Sequence, residues 1–149
     1  MFNIALYQPD IPQNTAAIIR LCSCFDAVLE IIEPCGFHFD DKRLKKVAMD
    51  YLDKVKIITH KNYESFLIKK KNSRVILMTT KSDKNYYNFK FKPKDTLLFG
   101  RESAGVPSYV HKNSYQRLKI QLKKNARSLN ISIAAGITIA EATKQNFNL

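Results

Sequence analysis

Leu97-Leu98-Phe99-Gly100-Arg101-Glu102-Ser103-Ala104-Gly105-Val106-Pro107 is the stretch on which the fold turns. An apolar run beginning near Asp95 reads as a strand that stops at Gly100. A charged loop and a second glycine follow, and Pro107 opens a short helical stretch. Working outward, Phe2–Tyr7, Val28–Ile32, Val55–Ile58 and Arg74–Thr79 read as further strands. The first is stopped by Pro9 and Pro12, the second by the Pro34-Cys35-Gly36 turn. Helical patterns fill the gaps. From Asn14, Ile18, Leu21, Cys22 and Phe25 recur at i, i+3, i+4 and i+7. Asp40 and Asp41 begin a basic helix through about Met49, acids at its positive end, and Tyr63–Lys71 is a short helix. Arg117–Leu122 alternates as a last strand, and a helix from about Asn130 to Gln145 closes the chain. Alternating strands and helices predict a three-layer α/β/α architecture on a mostly parallel sheet, with residues 1–149 as one domain.

Ile131, Ile133, Ala134, Ala135, Ile137, Ile139 and Ala140 make that final helix apolar on all sides, so it must be covered on more than one side. In so small a domain a partner chain is the simplest cover. Lys and Arg total 25 against 13 Asp and Glu, a formal charge of +12. A polyanion partner is one reading, since neutralised phosphates release counterions; solvent faces decorated with lysine is the other. No run of about 18 apolar residues suggests a membrane span. The first strand lacks the marks of a signal peptide, so cytoplasmic residence is expected.

Only four glycines occur, Gly36, Gly100, Gly105 and Gly136. There is no G-x-G-x-x-G after the first strand and no phosphate-loop lysine, which disfavours Rossmann enzymes and phosphate-loop NTPases. Cys22, Cys24 and Cys35 have no metal-ligand spacing and read as buried, inert thiols. His38, His60 and His111 read as surface or loop residues, and no metal is expected.

Three polar stretches stand where a fold alone does not require them. In Gln13–Arg20, Asn14 is either a helix cap or a functional amide. Arg20, between Ile19 and Leu21, needs a phosphate, carboxylate or hydroxyl to donate to, or is a structural salt-bridge partner. Residues 97–107 place a loop beyond a strand's carboxyl end, where open α/β sheets bind ligands; an ordinary strand–turn–helix connection is the plainer reading. Ile120-Gln121-Leu122 and Asn125–Asn130 lead into the last helix, with Ser128 and Asn130 able to cap it or to meet an anion at its positive end.

The order N-x5-R, then F-G-x-E-x-x-G-V-P, then A-R-S-L-N resembles the three motifs of SPOUT methyltransferases. With the opening NIALYQPDIPQNTAAIIRLC and the following IIEPCGFHFDDKRLKK, the chain looks especially like the tRNA (cytidine(34)-2'-O)-methyltransferase family over essentially its whole length. Ala16 and Ala17 stand where that family often has Gly-Asn, and Gln121 where it usually has proline. The resemblance implies a deep C-terminal trefoil knot, a homodimer, S-adenosylmethionine as cofactor, no appended RNA-binding domain, and the tRNA anticodon stem-loop as substrate, methylated at the ribose of C34 or U34. It places Met78, Gly100, Glu102, Ile120, Ser128 and Leu129 at the cofactor, and Asn14, Arg20, Ser128 and Asn130 at the reaction. Arg20 is expected to orient the nucleotide's phosphate and polarise the hydroxyl, because a guanidinium is too basic to act as a free-standing base.

Overall fold

A computed structural model describes residues 1–147; the last two residues of the expected domain lie outside the described residues. The elements run β1 Asn3–Tyr7, α1 Pro12–Cys24, β2 Val28–Ile32, α2 Lys42–Ala48, β3 Ile57–His60, α3 Tyr63–Lys69, β4 Val75–Met78, β5 Thr96–Phe99, α4 Ser108–Asn113, β6 Gln116–Leu118 and α5 Ile131–Asn146. Short 3-10 turns occupy Met49–Lys54 and Tyr86–Asn88. The strands form one six-stranded sheet in the order β3-β2-β1-β5-β4-β6, every pairing parallel.

The strands' two-residue period divides the core between the sheet's faces. Ile4 and Leu6, Leu29 and Ile31, Ile76 and Met78, and Leu97 and Phe99 face α1, α2 and α5. Ala5 and Tyr7, Ile32, Val75 and Leu77, and Leu98 face α3 and α4. Both faces are covered, as parallel sheets require, and the three-layer architecture follows.

Several local expectations shift. Helix α1 starts two residues before Asn14, because Pro12 opens it and needs no hydrogen-bond acceptor there; Ile11 is the N-cap and supplies no side-chain cap. Asn14 is therefore inside the first turn and does not cap. Strand β3 lies two residues later than Val55–Ile58. Strand β6 covers three residues rather than Arg117–Leu122. Its neighbour β4 ends at Met78, paired with Leu118, and the chain beyond turns instead to a single parallel bridge between Lys119 and Asn85. Asp41 caps α2, its carboxylate accepting from Arg43 N at 2.8 Å. Cys22 is buried, which pushes its thiol up to about 12, whereas Cys24 is exposed. Helix α5 buries Ala135, Thr138, Ile139 and Ala142 but leaves Ile133 54% exposed.

His60 departs most from the sequence reading. It lies at the end of β3, 6% exposed, and its Nε2 is 2.7 Å from Oε2 of Glu30, itself 2% exposed. Lys70, just after α3, pairs with the other carboxylate oxygen of Glu30. With the Asn3 amide turned so that its oxygen faces the ammonium, Lys70 Nζ also donates to it at 2.8 Å. Phe66 closes this cluster edge-on against His60 at 5.2 Å. Glu30 lies mid-strand, where the alternation calls for an apolar residue, and it is tolerated because both carboxylate oxygens are partnered. Removing one member of a buried ion pair strands the other charge. Glu30→Ala is therefore expected to lower the unfolding free energy by about 3–5 kcal/mol in chemical denaturation. A loss under 1 kcal/mol would show the cluster to be dispensable.

Candidate active site

The carboxyl ends of β4 and β5, the 100–106 loop, the irregular segment after β6 and the start of α5 enclose a cavity of about 500 Å³. Its apolar wall includes Met78, Phe99, Ile120, Leu122 and Leu129; Thr79, Thr80, Ser128 and Asn130 supply polar groups. Gly100 is required by a close approach. A Cβ there would lie 2.7 Å from the Gly105 backbone, and the two ends of the loop are laced by Arg101 N to Gly105 O at 3.0 Å and Gly105 N to Arg101 O at 2.8 Å. Gly105, at φ +64°, makes the turn that only glycine adopts freely.

That tight loop presents Glu102 to the N-terminal end of α1. One carboxylate oxygen accepts from Asp10 N at 2.8 Å, and the other from Asn14 Nδ2 at 3.3 Å and Ile11 N at 3.4 Å. Asn14 in turn accepts from Asn130 Nδ2 at 2.9 Å. Asn130 caps α5, its oxygen accepting from Ser132 N at 2.8 Å. Glu102, Asn14 and Asn130 thus form a relay joining three distant segments. The loop's neighbouring residues lock the same junction. Arg101 donates to Asp10 at 2.6 Å, and Ser103 Oγ to the same carboxylate at 2.5 Å. The Arg101 hydrogen bond, aided by Ser103, holds the Asp10 carboxyl down at about 2. Cys35, close enough to feel Glu102 and Glu33, is pushed up to about 11, chiefly by burial.

Met78, Gly100, Glu102, Ile120, Ser128 and Leu129 all line this cavity, with Asn14 and Asn130. Arg20 does not. It is exposed, on the far part of α1, with its guanidinium 5.2 Å from the centroid of the Tyr51 ring. Sequence reading missed Asp10, Arg101 and Ser103. Asp10 stands between two prolines and reads as a turn residue, and the motif gave Arg101 only as a variable position. Among the described residues no three His, Cys, Asp or Glu side chains converge as metal ligands, and no helix is long and apolar enough to cross a membrane.

Residues 1–140 match the model of the SpoU rRNA Methylase family. A tRNA (cytidine(34)-2'-O)-methyltransferase of Beijerinckia indica subsp. indica is 43% identical over 144 residues, 95% of this chain and 90% of that protein. A solved structure concerned with the 2-OH methylation of C/U34 on tRNA superposes with a TM-score of 0.94 at 34% identity, covering 97% of this chain and 95% of the other. An AdoMet-bound rRNA methyltransferase from Sinorhizobium meliloti shares the fold, at TM-score 0.89 and 24% identity, over 96% of this chain and 56% of that one.

The Asp10 pair supplies a pH test. A carboxyl whose pKa is lower in the folded than in the unfolded chain stabilises fully above its unfolded value, here 3.8, and that contribution fades as pH falls towards about 2. The melting temperature of wild type is expected to exceed that of Asp10→Asn at pH 6, with the gap closing below about pH 4. A gap independent of pH would show that Asp10 acts through its shape rather than its charge.

Proposed function

The chain belongs to the SpoU rRNA methylase family, and on that premise we propose that it transfers a methyl group from S-adenosylmethionine to the ribose 2'-oxygen of nucleotide 34 of tRNA. The observation that carries this reading is the cavity at the strand ends with its Glu102–Asn14–Asn130 relay. It coincides with all three polar stretches of the sequence.

The cavity suits the cofactor. Its size falls within the range of small-molecule sites, and it joins an apolar wall to strand-end backbone groups without a glycine-rich phosphate loop. Glu102, the one carboxylate of the lining, is occupied by α1, so no free anion in the wall claims the sulfonium as a fixed counter-ion. Residues Met78, Gly100, Ile120, Ser128 and Leu129 would hold it. When bound it supplies an activated, positively charged methyl donor. What remains for the protein is alignment of the 2'-hydroxyl with that donor and a path for the hydroxyl proton.

Asn14 and Asn130 act as positioning residues in this reading, since each amide is already engaged within the relay. Ser128 sets the cofactor against the nucleotide. Arg20 orients the nucleotide's phosphate and polarises the hydroxyl. It lies six residues from Asn14, about 9 Å along α1, and does not face the cavity of its own chain. A homodimer resolves this by bringing Arg20 to the site at the subunit interface. The exposed Ile11, Leu129 and Ile133 beside the cavity provide an apolar rim for the second copy. The lysine-rich surfaces, including Lys42, Arg43, Lys45 and Lys46 of α2, would grip the anticodon stem-loop. A deep trefoil knot fits the path from edge strand β6 through irregular residues 119–130 to α5, which packs on α1 and β5.

Labelled S-adenosylmethionine with total tRNA lacking its 2'-O-methyl groups tests the reaction. Label is expected at ribose 34. Label at another position or in ribosomal RNA would discard the wobble assignment, and absence of both transfer and cofactor binding would overturn the function. Arg20→Ala is expected to cut turnover by about 10²-fold or more while leaving cofactor affinity unchanged. Near-normal turnover would remove Arg20 from the mechanism. Transfer is also expected to fall steeply with added salt if phosphate contacts dominate the interface.

A further inference from the structure

Away from this cavity, the sheet ends at β6 in a surface that the proposed reaction leaves unused. His111, Lys112, Ser114, Tyr115, Gln116 and Arg117 line a recess of about 280 Å³ there, with no carboxylate among them. Lys84 joins from the neighbouring loop, its ammonium donating to Gln116 Oε1 at 3.2 Å. Burial, and then the nearby charges of Arg117 and Lys81, push the His111 pKa down.

Tyr115 is the unusual member. It is 62% exposed, yet its backbone is fixed by a hydrogen bond from its N–H to Val75 O at 2.9 Å. The guanidinium of Arg74 lies 5.1 Å from its ring centroid and 5.0 Å from that of Phe89. Arg74 is itself held by Asp95, with Nε to Oδ1 at 2.7 Å and Nη2 to Oδ2 at 2.5 Å, and by Lys90 O at 3.0 Å. The ring is thus backed by a fixed, charge-neutralised guanidinium while keeping a large surface in solvent. A rigid aromatic face beside unpaired cations is what an unpaired, phosphate-linked base requires.

We propose that the β6 edge is a contact for single-stranded RNA, with Tyr115 stacking on one unpaired base and Arg117, Lys112 and His111 donating to the adjoining phosphates. The inference rests on the RNA-substrate reading above and extends it. Tyr115 and the cavity residue Ile120 are five residues apart, about 16 Å of extended chain. One strand can therefore reach both sites.

Binding of a short fluorescein-labelled oligouridine to the full chain, followed by anisotropy, tests this without relying on turnover. Tyr115→Ala is expected to weaken binding about 10-fold, Tyr115→Phe to bind as wild type, and Arg117→Ala to reduce the salt slope of the affinity by about one. Cofactor affinity is expected to be unchanged in all three, which also reports intact folding. Wild type that does not bind oligouridine, variants that all bind like wild type, or a Phe variant as weak as the Ala variant would each overturn the proposal. The two readings separate cleanly. Wild type with RNA binding sensitive to Tyr115 but no methyl transfer would overturn the reaction and uphold the contact. Intact methyl transfer with oligouridine binding indifferent to Tyr115 would do the reverse.

Discussion

The carboxylate of Glu102 ties together parts of the chain that lie far apart in sequence. It sits on a loop so tight that Gly100 and Gly105 touch backbone to backbone, and it accepts from the backbone of residues 10 and 11. Through Asn14 it reaches Asn130, and through Asn130 the first turn of α5. Strand β5, helix α1 and helix α5 are thereby fixed relative to one another at the point where the cavity opens. Hydrogen bonds to an ionised acceptor are stronger than neutral ones, and their direction holds geometry that apolar packing alone would leave loose. The Arg101–Asp10–Ser103 cluster beside it supplies a second, separate lock on the same junction.

A parallel sheet covered on both faces gives this junction a rigid base. Strand ends in such a sheet leave backbone donors and acceptors without ladder partners, and here those ends form the cavity floor. The division of labour between the two layers is uneven. The α1, α2 and α5 side carries most of the large core and the functional segments. The α3 and α4 side holds a smaller core and the buried Glu30, His60 and Lys70 group. That group is remote in kind from the cavity relay. Its charges satisfy one another inside the protein, whereas the cavity's polar atoms are arranged around a space.

Positive charge is distributed with similar contrast. Arg74 is consumed by Asp95 and Arg101 by Asp10, so both serve structure first. Among the described residues, the exposed cations of α2 and of the β6 edge have no such partners, apart from Arg43 with Asp41. A net charge of +12 favours encounter with a polyanion.

Sequence alone determined the alternation of strands and helices, and so the three-layer class, because the apolar periods of the strands and of α1 are local properties of the chain. It also marked three polar segments as candidates, since Asn14, Glu102, Ser128 and Asn130 stand in motifs whose order needs no coordinates, and all four line the same cavity. Tertiary structure decided what those residues do to one another. Asn14 reads as a cap from its neighbours, yet Pro12 takes over the helix start and frees its amide for Glu102. His60 reads as a loop residue, yet a two-residue shift of β3 buries it against Glu30. Strand β6 stops early because Lys119 leaves β4 to bridge Asn85, and Arg20 turns away from its own chain's cavity. Each outcome rests on a partner tens of residues distant. Local patterning encodes which way a side chain faces along its own element, and only the packed fold decides which side chain waits for it there.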